Sequence, residues 1–176
     1  MSGPDFQIAC EVAWDKGVVA ILTEVHVQTL VAASLYEAGA QDGDSIELGV
    51  TFCDLDRSRE LNLEHREIDA PTDVLSFPID DLTEELPEDM PRELGDIVIC
   101  PAYVKQQVAD GTTMLAHGPG QEEGDSTLRE ALERCIVHGA LHLAGFDHER
   151  SDQDAKEMFA LEQLVLDRVR GAAAEA

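Results

Sequence analysis

Positive charge is scarce in this sequence of 176 residues, in which 12 Lys and Arg stand against 37 Asp and Glu and the formal net charge is −25. So acidic a chain repels a phosphate backbone, which excludes binding of nucleic acid through a broad basic surface. Long hydrophobic runs are also lacking, because no apolar stretch approaches the roughly 20 residues of a membrane-spanning helix. We therefore expect no membrane association and no DNA partner. Any polyanion must be held at one small positive or metal-bearing site.

The N-terminus and the cysteines both indicate a cytoplasmic protein. Residues 1–5 lack the basic start and the apolar stretch of a secretory signal. The cysteines are widely spaced, form no C-x-x-C pair and lie among aliphatic residues, which predicts buried free thiols rather than disulfides or a metal site. They are Cys10, Cys53, Cys100 and Cys135.

Hydrophobic residues make up 44% of the chain, which suffices for a single domain over residues 1–176 with a frayed tail at 171–176. Alternating or short apolar runs predict strands at 6–13, 46–52, 74–77 and 97–100. Helical spacing predicts helices at 18–37, at 57–63, after Pro101, at 127–143 and at 152–170. Segments 80–96 and 110–125 are predicted loops. The expected fold class is α+β, a small mixed sheet of about four strands packed by about five helices.

Half of the six histidines fall in one run, H-G-A-L-H-L-A-G-F-D-H, from His138 to His148. His138 and His142 are four residues apart, so both rings project from one face of the predicted helix. Gly145 can turn the chain back through a left-handed conformation and bring His148 to the same point. Three imidazoles around one ion, with a fourth position left to water, are the ligand set of a catalytic zinc site. Iron, nickel and copper also accept imidazole, and zinc is the default expectation.

The spacing of this run matches the H-E-x-x-H-x-x-G-x-x-H motif of metzincin proteases in its histidines and its glycine. The general-base glutamate of that motif is replaced by Gly139. Peptide hydrolysis requires such a base to activate water and to protonate the amine leaving group. The sequence therefore favours hydrolysis of a bond other than a peptide bond.

Arginines are concentrated in a second segment upstream of the histidines. Arg57, Arg59 and Arg66 are three of the chain's 12 basic residues. The planar guanidinium suits a phosphate group better than a point charge does. The alternative for Arg57 and Arg59 is surface ion pairing with Asp54, Asp56 or Glu60. Arg59 is therefore retained as a candidate substrate-binding residue.

Three motifs together resemble the YbeY family of bacterial endoribonucleases that mature ribosomal RNA. They are L-N-x-x-x-R-x-x-D-x-P-T-D-V-L-S-F-P at 61–78, L-G-D-I at 94–97 and the histidine run at 138–148. The resemblance covers roughly residues 45–170 and keeps the family's motif order. It departs from the family at His65, where an aromatic residue is usual and a histidine ring could stack instead, and at Phe146, which replaces a tyrosine.

The resemblance implies one zinc ion held by His138, His142 and His148. It also implies single-strand-specific RNA cleavage in rRNA maturation, at the 3′ end of 16S rRNA, and in ribosome quality control. The expected partners are single-stranded or ribosomal RNA and the ribosome or its proteins. The arginine of the family's L-N-x-x-x-R motif falls on Arg66, which is therefore the expected catalytic arginine.

The expected mechanism uses a zinc-bound water as nucleophile, while Arg66 neutralises charge on the phosphorane-like transition state. Asp147 precedes the third histidine and is a candidate for orienting a ligand; capping of the local turn is the alternative. Two other functions remain open at this stage. One is a zinc hydrolase of another substrate, an ester or a peptide. The other is a noncatalytic ribosome-assembly factor with a structural zinc.

Overall fold

A computed structural model describes residues 6–80, 82–83, 87, 90–112 and 127–174. Its sheet has four strands in the order β1-β2-β4-β3. Strands β1 (Gln7–Trp14), β2 (Ser45–Phe52) and β4 (Arg92–Ile99) run parallel, and β3 (Val74–Pro78) pairs antiparallel with β4. Within the described ranges five helices accompany this mixed sheet, which confirms the predicted α+β class.

The helices are bounded by the signals that the sequence carries. They are α1 (Glu24–Ala38), α2 (Leu55–Arg66), α3 (Pro101–Asp110), α4 (Leu128–Leu143) and α5 (Asp152–Ala174). The capping box that opens α4 is formed, because Thr127 Oγ1 accepts from the Glu130 N–H and the Glu130 carboxylate accepts from the Thr127 N–H. Gly39 ends α1 at φ 103°, as predicted. None of the described helices is both long and apolar enough to cross a bilayer.

One face of the sheet forms the core. Alternation along β2 buries Ile46, Leu48, Val50 and Phe52 beneath the helices and leaves Glu47 on the opposite face. Helix α4 is the central helix, since it packs against β3, β4, α1, α3 and α5. At Gly139 the helix lies close to the sheet, since an added Cβ would be 2.6 Å from Ile97 Cγ2. The histidine-bearing helix is therefore fixed directly on the sheet.

The four cysteines are buried free thiols, as predicted. Cys53 and Cys100 follow the ends of the paired strands β2 and β4. The thiol of Cys53 donates a hydrogen bond to Cys100, and this bond, with backbone N–H groups at the start of α3, holds the pKa of Cys100 below that of an ordinary thiol.

Several predicted boundaries were wrong. Strand β4 begins at Arg92 rather than at residue 97, so part of the predicted loop 80–96 is strand. Helix α1 begins at Glu24 rather than at residue 18, after the N-cap Thr23. Helix α5 continues through residues 171–174, which were expected to be frayed, and residues 175–176 lie outside the described chain. Of the predicted loop 110–125, residues 113–125 also lie outside it.

Candidate metal centre

The second half of α4 brings two histidines to one point in the interior. His138 and His142 are one helical turn apart, and their ring centroids are 4.5 Å apart. Their Nε2 atoms face each other at 3.0 Å. His138 is only 5% exposed, so its ring is almost fully withdrawn from water.

The chain reversal after α4 supplies the third imidazole. Gly145 adopts φ 100°, in the left-handed region that favours glycine. The N–H of Gly145 donates to the His142 carbonyl and the N–H of Phe146 donates to the Leu141 carbonyl, each at 3.0 Å. The reversal places the His148 ring 5.1 Å from that of His138 and 5.2 Å from that of His142, centroid to centroid. It also stacks His148 on Phe159 of α5.

This cluster fits a metal ion. One nitrogen from each of His138, His142 and His148 lies within 4.8 Å of the others. Tetrahedral ligands with bonds of about 2.0–2.1 Å are separated by about 3.3–3.4 Å. Small ring adjustments would meet that requirement, including a slight opening of the His138–His142 pair, whose Nε2 atoms are 3.0 Å apart. Three neutral imidazoles suit zinc, copper, iron or nickel rather than magnesium or calcium. They also leave a fourth coordination position for water or substrate.

The protonation state of His142 is the one that metal coordination requires. Burial, followed by the charges of His138 and His148, lowers the pKa of His142 to about 4. The ring is therefore neutral at physiological pH. Its Nδ1 lies 2.9 Å from the Phe146 carbonyl oxygen, which can only accept a hydrogen bond. The proton consequently resides on Nδ1, and the Nε2 lone pair points into the cluster.

Glu162 on α5 is a neighbour of the site that the sequence reasoning missed. Its Oε1 lies 2.6 Å from His138 Nδ1, and its side chain is fully buried. Leu164 is apolar but 49% exposed, so it does not belong to the buried stripe of α5. The buried stripe instead consists of Met158, Glu162, Val165, Leu166 and Val169. A glutamate at helical spacing among apolar residues was the signal that could have found it.

Arg66 occupies the last position of α2, before the left-handed Glu67 that ends the helix. Its side chain is exposed and makes no hydrogen bond or ion pair with any residue that the structure describes. The preceding His65 packs edge-on against Phe77 of β3 with ring centroids 4.7 Å apart, so a ring does stand where the family has an aromatic residue. Strand β3 also packs against α4, so it contacts both the end of α2 and the helix that carries His138 and His142.

Arg59 and Asp147 have local partners. Arg59 Nε and Nη2 donate to the two carboxylate oxygens of Asp69 at 2.6 and 2.9 Å, a bidentate pair that competes with phosphate. Asp147 Oδ1 accepts from the Glu149 N–H at 2.9 Å, and its Oδ2 lies 3.3 Å from Arg150 Nε. These are the contacts of a turn cap. Within the described ranges Asp147 makes no hydrogen bond to a histidine. The ring of His138 is held by Glu162 and that of His142 by the Phe146 carbonyl.

The packing around Gly139 accounts for the absence of the general-base glutamate that metzincin proteases have at this position. The position corresponding to that glutamate faces the sheet, where Ile97 is fully buried and an added Cβ would come within 2.6 Å of it. Any side chain at this position would have to displace Ile97. The packing thus disfavours a metzincin-type base at this position.

The opposite face of the sheet is acidic. It carries a cavity of about 500 Å³ whose rim includes Glu11, Glu47, Glu93 and Asp96. Four carboxylates repel phosphate groups, so the charge of this face disfavours RNA binding.

A helix and turn bring together three imidazoles that could hold a metal ion, an arrangement that fits the centre of a metal-dependent hydrolase. The family model described as Endoribonuclease YbeY matches residues 15–170. The chain belongs to the YbeY family of endoribonucleases, which are hydrolases that act on phosphodiester bonds.

Similar proteins and a solved structure support this assignment. The Endoribonuclease YbeY of Persephonella marina is 39% identical over 127 residues, which is 72% of each chain. That of Acinetobacter baumannii (strain ATCC 17978) is 37% identical over 145 residues, or 82% of each chain. A solution structure of a Thermotoga maritima protein superimposes with a TM-score of 0.57 at 28% identity, covering 95% of this chain and 93% of the other.

Proposed function

We propose that this protein is a single-strand-specific endoribonuclease that matures ribosomal RNA, at the 3′ end of 16S rRNA, and acts in ribosome quality control. One zinc ion is held by His138, His142 and His148. The observation that carries the proposal is the convergence of these three imidazoles, with nitrogens within 4.8 Å of one another, in a chain of the YbeY family. A zinc ion bound there supplies Lewis-acid chemistry and an activated water.

The protein's own groups position the reaction. His142, kept neutral by burial and its neighbours, presents Nε2 to the centre while the Phe146 carbonyl holds its Nδ1 proton. Arg66, exposed and unpaired among the described residues, neutralises charge that develops on the scissile phosphate. Arg59 serves as a substrate-binding residue only when phosphate displaces the carboxylate of Asp69. Catalysis then depends on one arginine and the metal centre rather than on a basic surface.

The charge distribution shapes the choice of substrate. With a net charge of −25, the protein binds bare RNA weakly and in a salt-dependent manner. Useful affinity comes from the metal centre and from a partner, the ribosome or one of its proteins, that presents the strand. The cytoplasm is the compartment in which these partners and four free thiols occur together.

The decisive experiment measures zinc content and cleavage of single-stranded RNA in the same preparations. His142→Ala should lose both zinc and cleavage, and a chelator should abolish wild-type cleavage until zinc is restored. His26→Gln is the matched control, since His26 contacts Glu133 and lies outside the cluster. It should retain zinc and activity. Cleavage that persists at the wild-type level in zinc-free His142→Ala would show that the activity does not arise at the metal centre and would refute the proposal.

The role of Arg66 is tested separately. Arg66→Ala should keep its zinc while RNA cleavage falls by at least tenfold, because loss of one transition-state charge contact typically costs about 10²–10³ in rate. Arg57→Ala is the matched control, an exposed arginine of the same helix whose partner is Glu60 at 3.4 Å. If both variants cleave RNA at the wild-type rate, Arg66 has no catalytic role.

A further inference from the structure

Glu162 is a buried carboxylate in an unusual position. Its side chain is fully withdrawn from water in the middle of the apolar stripe of α5. Burial of an ionised carboxylate is penalised by several kcal/mol unless charged or hydrogen-bonding groups compensate it. Its two polar neighbours across the helix interface belong to α4: His138, 2.6 Å from Oε1, and Arg134, 3.6 Å from Oε2. An apolar residue would pack this stripe without that penalty, so the contact with His138 requires an explanation.

The geometry of the pair determines which ring nitrogen of His138 is free. A carboxylate can only accept a hydrogen bond, so the Nδ1 atom of His138 carries the proton. The other nitrogen, Nε2, is the atom that faces His142 Nε2 at 3.0 Å. Glu162 therefore selects the tautomer in which the lone pair of His138 points at the metal centre. Arg134 balances the negative charge from the far side of the carboxylate.

The two ligands on α4 are oriented by different acceptors. His142 Nδ1 faces a neutral backbone carbonyl, that of Phe146, at 2.9 Å. His138 Nδ1 faces a charged carboxylate at a shorter distance, 2.6 Å. A carboxylate makes the stronger hydrogen bond and increases the electron-donating power of the ring more than a carbonyl does. His138 should accordingly be a stronger metal ligand than His142.

We propose that Glu162 is a positioning residue for the metal centre, which fixes His138 in the Nδ1–H tautomer and strengthens its Nε2 as a metal ligand. This inference rests on the proposed function only in that a metal ion binds the three histidines. It adds a residue from a second helix to the site. Metal affinity then depends on the packing of α5 as well as on the histidine run.

The test compares wild type with Glu162→Gln, a substitution that conserves shape and removes the charge. Zinc affinity is measured by competition with a chromophoric chelator, and Glu162→Gln should bind zinc 10- to 100-fold more weakly, the range typical of lost outer partners of metal-ligating histidines. Glu157→Gln is the matched control, because Glu157 lies on the same helix but is exposed. It should bind zinc as wild type does. Thermal unfolding of the metal-free proteins verifies that each variant is folded.

A second measurement needs no variant and no metal. Nitrogen-15 NMR of the metal-free wild-type protein at alkaline pH, where free imidazoles are neutral, reports the tautomer of His138. The Nδ1–H form is expected, and the Nε2–H form would overturn the proposal even if Glu162→Gln failed to fold. Equal zinc affinity in folded Glu162→Gln and wild type would overturn it as well. Wild type that binds no zinc would instead refute the proposed metal centre, so the two failures are distinguishable.

Discussion

Replacement of Gly139 by alanine tests a close contact between the histidine helix and the sheet. Helix propensity alone favours alanine over glycine by about 1 kcal/mol. The new methyl group would lie 2.6 Å from Ile97 Cγ2 and 3.2 Å from both Cγ1 and Cδ1. Ile97 is fully buried in β4 and cannot move into solvent. Overpacking of this kind costs about 1–3 kcal/mol, and three simultaneous contacts place it near the upper end.

The net expectation is that Gly139→Ala lowers the free energy of unfolding by about 2 kcal/mol, the difference between the clash and the helical gain. Urea denaturation followed by circular dichroism measures it. Gly171→Ala is the matched control, because Gly171 lies in α5 with nothing within 4 Å of an added Cβ. That variant should be up to about 1 kcal/mol more stable than wild type.

A double-mutant cycle identifies the cause. Ile97→Ala removes the atoms that the new methyl group would meet, so Gly139→Ala should be far less harmful in that background. The coupling free energy between the two substitutions should be about 1–3 kcal/mol. If Gly139→Ala is as stabilising as Gly171→Ala, the close approach does not exist. The explanation for the missing protease glutamate would then fail with it.

Three further predictions concern stability, a thiol and substrate binding. Glu133→Ala should destabilise the protein by about 1–3 kcal/mol in urea denaturation, since it removes a buried carboxylate that contacts His26, Arg129 and Arg170; no change would show that these contacts contribute nothing. Cys53→Ala should raise the pKa of Cys100, followed by ultraviolet absorbance of the thiolate, because the donor of its main hydrogen bond is lost; an unchanged pKa would refute that cause. Metal-free protein should bind naked RNA weakly, and tight salt-resistant binding in a filter assay would contradict the charge argument.

The sequence predicted well those features whose cause is local. The alternation of β2, the capping box at Thr127 and the turn at Gly145 all depend on residues within a few positions of one another. The convergence of the histidines followed from helical spacing and one left-handed glycine. A pattern of this kind is visible in the sequence because the residues that cause it are neighbours along the chain.

The features that were missed depend on distant pairing. The loop predicted over 80–96 from its many acidic residues and its two prolines includes the start of β4. Its charged residues Glu93 and Asp96 lie on the open face of the sheet, and β2 supplies the pairing partner. Glu162 contacts His138 across 24 positions, and no local pattern predicts which helix face meets α4. Arg59 forms its ion pair with Asp69, ten residues away, and not with Asp54, Asp56 or Glu60, the partners that the sequence suggests as the alternative. Each of these three features depends on tertiary packing, which local sequence patterns do not reveal.

The carboxylates on the open sheet face restrict the direction from which a polyanion can approach. Because α4 lies on the other face of the sheet, a strand of RNA that diffuses toward Glu11, Glu47, Glu93 and Asp96 is repelled before it comes near the histidines. Productive collisions are thus a small fraction of all collisions. A strand tethered by a partner on the correct side is present at a far higher effective concentration. Under the proposed function, RNA presented by a partner is therefore favoured over the bulk RNA of the cell by encounter rate, without any contact to a base.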